Sequence, residues 1–141
     1  MSFTAQQKLE IEKILIDHEG SSSAPYFCPS GKLSIGVGRN LEDVGLRYVE
    51  IMFLLRNDIE EVCKRLDDSI PWWQDLTIKR KYVLVDMTFN LGISGFLKFK
   101  KTLAYIKAGD YHSASIEMLN SRWAEQVKSR AVKLSQMMEE G

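Results

Sequence analysis

His18-Glu19-Gly20, followed by Tyr26-Phe27-Cys28-Pro29-Ser30-Gly31 and then Leu33-Ser34-Ile35-Gly36-Val37-Gly38, is the stretch whose reading decides this chain. Glu19 closes a helical pattern. Ile11, Ile14, Leu15 and His18 recur at i, i+3, i+4 and i+7, one face of an α-helix. Thr4 and Gln7 have the spacing of a capping box, so the helix is expected to begin at Thr4. Gly20 is a natural stop, and Ser21 to Pro25 read as loop. Tyr26–Cys28 and Lys32–Val37 then read as two strands around a Pro29-Ser30-Gly31 turn. Leu33, Ile35 and Val37 alternate and are expected to face the core, leaving Ser34, Gly36 and Gly38 on the other face. A face of one hydroxyl and two glycines suits close approach by a ligand. It equally suits a bent hairpin that needs glycine for its own geometry.

A carboxylic acid at a helix end, facing such a hairpin, is suited to cleaving a sugar linkage. Glycosidic cleavage needs an acid to protonate the leaving oxygen and a group to handle the cationic transition state. Glu19 is the candidate acid, and partial burial in a cleft would raise its pKa. The alternative is an ordinary helix-end glutamate. His18 reads as a packing or surface residue. Cys28 stands where a second carboxylate is expected, and three roles are open to it. It could be a thiolate base or nucleophile, a neutral spacer, or, once oxidised to sulfinic acid, an anion imitating a carboxylate. Ser34 could hold a water or orient a sugar.

Downstream the pattern is helical. Ile51, Leu55, Ile59, Val62 and Leu66 predict one long helix over 48–66. Thr77 to Leu91 predicts a second, with Tyr82, Val85 and Phe89 on one stripe and Gly92 as terminator. Further helices are expected over 98–108 (stopped by Gly109), 111–120 (capped by Asp110) and 128–138. The fold class expected is α+β and mostly helical: a small β-hairpin lobe, a long connecting helix, then a helical lobe.

The 141 residues fit a single domain and carry no formal net charge, which gives no support to nucleic-acid binding. The charge is uneven. Residues 1–70 hold 8 basic against 12 acidic side chains, and residues 71–141 hold 11 against 7. Such a layout could orient the protein on an anionic polymer, although solvated helix faces produce it too. Cys28 and Cys63 make no disulfide framework and suggest no metal site. Cys63 lies in an apolar helical pattern and reads as a small core residue. The first ten residues lack a signal-peptide pattern, and no apolar run approaches a membrane span.

Taken in order, these motifs resemble the bacteriophage-type lysozymes of glycoside hydrolase family 24. The resemblance rests on Glu19, eight residues, Cys28, five residues, Ser34. Phe89-Asn90-Leu91-Gly92, Ser121-Arg122-Trp123 and Arg130-Ala131 also match that family's patterns, so the likeness runs from about residue 11 to residue 131. It implies a lysozyme-like domain over 1–141, with a small lobe at about 12–47, a connecting helix at 48–66, and a helical lobe at 71–141 that includes the start of the first helix. It implies Glu19 as general acid, with Cys28 in place of the usual aspartate and Ser34 in place of threonine. Phe89, Asn90, Thr102 and Arg130 would be substrate-binding, and Trp123 core. Arg39 would pair with Asp58. The expected activity is an endolysin hydrolysing the β-1,4 bond between N-acetylmuramic acid and N-acetylglucosamine. Neither cofactor nor metal would be needed. The protein would be a monomer that binds peptidoglycan, does not insert in membranes, and waits in the host cytoplasm for a holin. A lytic transglycosylase using Glu19 alone, and a non-catalytic peptidoglycan binder, are the competing expectations.

Overall fold

A computed structural model describes residues 2–141. The chain forms two compact units, Met1–Met52 and Phe53–Gly141. The fold is α+β: seven helices and one three-stranded antiparallel sheet of order β1-β2-β3 among the described residues.

The first unit opens with α1, Ala5–Glu19. Thr4 caps it as the sequence predicts. Its hydroxyl accepts from the Gln7 N–H at 3.2 Å, and the Gln7 side chain accepts from the Thr4 N–H at 2.9 Å. Gly20, at φ 76°, takes the chain out of the helix immediately after Glu19. The strands are β1 (Ser22–Phe27), β2 (Leu33–Gly36) and β3 (Arg39–Asn40). The Ser21–Pro25 stretch expected as loop is mostly strand, but an irregular one. Ser22 pairs with Gly36 and Tyr26 with Ser34, so three residues of β1 oppose one of β2. Pro25 has no N–H to give the ladder, and the bulge sits where that donor is missing. The Ser22 hydroxyl fills in by donating to the Ala24 carbonyl at 2.7 Å.

The expected alternation in β2 is reversed. Ser34 is the buried residue, at 2% exposure, while Leu33 and Ile35 are half-buried. β2 is the central strand, so Ser34 has Tyr26 opposite it on one side and Asn40 on the other. A small side chain fits between those neighbours. Val37 leaves the strand altogether and is 40% exposed in the two-residue turn to β3. That turn explains both flanking glycines, since Gly36 and Gly38 have φ of 68° and 70°. β3 itself was not foreseen, because two residues are too few to show periodicity.

The α2 helix runs Tyr48–Ser69, so it starts in the first unit and ends in the second. The expected Arg39–Asp58 pair does not form. The Arg39 guanidinium instead bonds Glu50 at 2.7 Å and the Gly45 carbonyl at 3.2 Å. Glu50 lies in the first turn of α2, where its carboxylate also accepts the Arg47 backbone N–H at 2.8 Å. A carboxylate at that helix end satisfies free N–H groups and meets the positive end of the dipole, which Asp58, further along, cannot do. The Arg39 hydrogen bond, helped by the Arg47 N–H, lowers the Glu50 pKa to about 2. A depressed carboxylate contributes stability that is present above its unfolded pKa and is lost as pH falls through the folded one. Glu50→Gln should therefore flatten the acid limb of the stability curve between the ordinary carboxylate range and about pH 2. Denaturant melts across that range would show it, and an unchanged limb would refute the pairing.

The second unit is helical. After α2 come a 3-10 turn at Pro71–Asp75, α3 (Ile78–Phe96), α4 (Lys100–Ala108), α5 (Tyr111–Leu119), α6 (Arg122–Val127) and α7 (Ser129–Glu140). Thr77, Asp110 and Ser121 cap α3, α5 and α6 with side-chain oxygens. Gly92 interrupts α3 at φ 76°, ψ 161°, and one further helical turn follows. The buried face of α3 is Val83, Leu84, Met87 and Thr88; of the Tyr82, Val85, Phe89 stripe marked in the sequence, Val85 packs half-buried on the core while Tyr82 and Phe89 are exposed. The two stripes are adjacent on the helix, and the buried one shares its core with α7. That helix buries Ala131, Leu134, Ser135 and Met138 at helical spacing. Its C-terminus is held by Arg80, which donates to the carbonyls of Met138 at 2.7 Å and Glu139 at 2.9 Å. The same guanidinium lies 3.5 Å above the Tyr111 ring. Cys63 packs on this core, and burial pushes its thiol pKa up, as suits an inert residue.

Candidate active site

The first unit carries a concavity of about 240 Å³ lined by Glu19, Gly20, Ser21, Ser22, Tyr26 and Gly36. α1 delivers Glu19 to its rim, and the sheet supplies the wall. The carboxylate lies close over the β2–β3 turn. A Cβ placed on Gly38 would stand 3.3 Å from Glu19 Oε2. The positive φ of Gly38 makes the turn, as a bent hairpin requires, and its missing side chain also leaves room for the Glu19 carboxylate. Glu19 is more exposed than the sequence reading expected.

Cys28 and Ser34 are brought together beside the first turn. The Cys28 N–H donates to the Lys32 carbonyl at 2.9 Å and the Gly31 N–H to the Cys28 carbonyl at 2.8 Å, closing the Pro29-Ser30-Gly31 loop. Ser30 Oγ is 3.0 Å from the Cys28 sulfur, and the Ser34 hydroxyl donates to the Lys32 carbonyl at 3.2 Å. Hydrogen bonding lowers the thiol pKa, first from the Ser30 side chain, then from the Lys32 backbone, with a smaller part from Ser34. Ser30 is the residue the sequence reading missed; its signal is a hydroxyl two residues after a cysteine in a tight turn. Removing it should raise the thiol pKa. We expect Ser30→Ala to slow alkylation of Cys28 by iodoacetamide several-fold near neutral pH, with the midpoint of the pH–rate curve shifted upward. An unmoved midpoint would show that the serine does not tune the thiol.

The second-unit candidates fare differently. Phe89 is 45% exposed and free to meet a ligand. Asn90 uses its side-chain oxygen to accept the Trp123 indole N–H at 2.9 Å, so it has a structural task. Trp123 is core, as expected. Thr102 is buried, although it contributes to the wall of a groove of about 610 Å³ near Phe99 and Trp123. Arg130 is engaged with Asp86, whose Oδ1 accepts from Nε at 2.8 Å and sits 2.6 Å from Nη2. No cluster of His, Cys, Asp and Glu that could hold a metal occurs among the described residues. No described helix is long and apolar enough to cross a membrane.

Comparison with known sequences gives this arrangement its context. The phage lysozyme family matches residues 16–137, a span that includes Glu19, Cys28 and Ser34. The chain belongs to the phage lysozyme family. Among curated relatives, "Probable T4-type lysozyme 2" of Dictyostelium discoideum is 35% identical over 69 residues, 49% of this chain and 41% of the relative. The pre-baseplate central spike protein Gp5 of Enterobacteria phage T4 is 32% identical over 68 residues, 48% of this chain and 12% of that protein. "Probable T4-type lysozyme 1" of the same Dictyostelium species is 30% identical over 69 residues. The matched stretches thus span less than half the length of these relatives.

Proposed function

We propose that this member of the phage lysozyme family hydrolyses the β-1,4 bond between N-acetylmuramic acid and N-acetylglucosamine in peptidoglycan, as an endolysin. The observation that carries the reading is Glu19 held at a helix end over a glycine-backed concavity, within the span matched by the family. The Glu19 carboxylic acid would give its proton to the glycosidic oxygen as the bond to the anomeric carbon breaks. Water would add to that carbon from the opposite face, passing its proton to the Cys28 thiolate, with Ser34 orienting the water. The lowered thiol pKa supports a base at Cys28. No second carboxylate lines the Glu19 concavity, which favours the transglycosylase as second reading; there the sugar's own substituent replaces water.

Mass analysis of fragments released from purified peptidoglycan separates these readings. Reducing ends that disappear in Glu19→Gln are expected. Anhydro ends would identify a transglycosylase, and wall binding without release would identify a binder. Cys28 has its own test. Cys28→Asp should keep or improve activity, and Cys28→Ala should lower it by about 10²-fold or more if the thiolate is a general base. Full activity in Cys28→Ala would remove the thiol from the chemistry.

A further inference from the structure

The concavity beside Glu19 has one large side chain besides the acid itself, and that is Tyr26. Gly20 and Gly36 offer bare backbone, and nothing stands within 4 Å of a Cβ built on either, so the space above them is open. Ser21 and Ser22 are short, and the Ser22 hydroxyl is spent on the Ala24 carbonyl at 2.7 Å. A sugar ring seated against the acid therefore has the Tyr26 ring as its main side-chain surface. Tyr26 belongs to the other half of the site as well, since it pairs with Ser34 across β1 and β2. The ladder continues past the end of β1, where the Cys28 N–H donates to the Lys32 carbonyl at 2.9 Å. Residues two apart on a strand point the same way, so Tyr26, Cys28 and Ser34 share one face of the sheet. Gly36, two residues on from Ser34, carries that face up to the concavity. Tyr26 is half-buried between the two, with ring surface left to offer.

Breaking a glycosidic bond builds positive charge on the sugar while the leaving oxygen takes the proton of the acid. No second carboxylate lines the concavity to meet that charge. The face of an aromatic ring carries negative potential and attracts a cation within about 6 Å of its centroid. We propose that Tyr26 is a further catalytic residue of this site: its ring lies against the reacting sugar and stabilises the positive charge of the transition state. The assignment rests on the glycosidase reading above and supplies the electrostatic stabilisation that the absent carboxylate leaves open. A neutral substrate gains little from the potential of the ring face. The contact therefore strengthens as charge develops, and its effect falls on kcat rather than on KM.

The test replaces Tyr26 in the full chain by leucine, by phenylalanine and by phenylalanines of increasing ring fluorination. For each, kcat and KM are measured on soluble, uncross-linked peptidoglycan, together with the melting temperature. Fluorine drains the negative potential of the ring face and leaves its shape nearly unchanged. Tyr26→Leu is expected to lower kcat by about 2- to 30-fold, the range of a single cation–π contact, and Tyr26→Phe to recover most of that loss. Across the fluorinated series kcat should fall step by step, with KM and the melting temperature nearly constant. A ring that only packs gives no such slope. If the unmodified chain cleaves and kcat is flat across the series, or the loss sits in KM, the Tyr26 assignment is overturned and the hydrolase reading stands. Anhydro ends with the same slope uphold Tyr26 and replace the hydrolase by the transglycosylase. No cleavage by the unmodified chain overturns the glycosidase reading and the assignment with it.

Discussion

If Glu19 is the general acid proposed above, replacing it by glutamine is expected to lower glycan release by about 10²- to 10⁴-fold, the range for removal of a general acid. The amide keeps the shape of the side chain and loses the proton to be donated. Stability should stay within about 0.5 kcal/mol, because Glu19 is exposed and the amide keeps its shape over Gly38. The two readouts together matter. A loss of activity with an unchanged melt assigns chemistry to the carboxylate. A loss accompanied by unfolding would show only that the turn needs it. Release within threefold of the unmodified chain would refute the general-acid role. Gly38→Ala should cost activity by another route, since its Cβ would stand 3.3 Å from the carboxylate at a backbone φ of 70°.

Trp123→Ala should destabilise the second unit by about 3–5 kcal/mol, the cost of emptying a large aromatic site in a core. Trp123 is 3% exposed, and its ring meets Phe99 edge-on at 6.1 Å between centroids. Phe99 in turn lies 6.4 Å from Phe96, which is fully buried. The indole also anchors Asn90, so Trp123→Phe removes the hydrogen bond while keeping most of the apolar area. About 0.5–1.5 kcal/mol is expected for that bond. Asn90→Ala should then cost a similar amount, and the double variant little more, since the same bond is lost once. Chemical denaturation of the four proteins checks this. Additive losses would show that Asn90 acts elsewhere, which would return it to the substrate-binding role expected from the sequence.

Much of the fold is legible because it is local. The Thr4–Gln7 box, Gly20 after Glu19, Asp110 before α5 and Gly109 after α4 act within one turn of chain. Such signals do not depend on what packs nearby. Long apolar periodicity placed α2 and α3 nearly to their ends for the same reason. The short elements failed. β3 has two residues and α6 six, too few to show a period, and neither was expected from the sequence.

Which residue faces which neighbour is not a local matter. Ser34 is buried because β2 is the middle strand of three, a property of pairing across the sheet. Val83 and Leu84, rather than Tyr82 and Phe89, enter the core because α7 packs on that side of α3. Arg39 prefers Glu50 to Asp58 because a helix end adds its own free N–H groups to the pair. Asn90 and Arg130 acquired structural partners in Trp123 and Asp86, 33 and 44 residues away in the chain. The amino-acid order was enough to read the long helices, their caps and the family. The facing of strands and helices, and the partners of charged and polar side chains, came from three-dimensional packing. Those choices compare alternatives of similar local energy, and contacts between distant segments tip the balance.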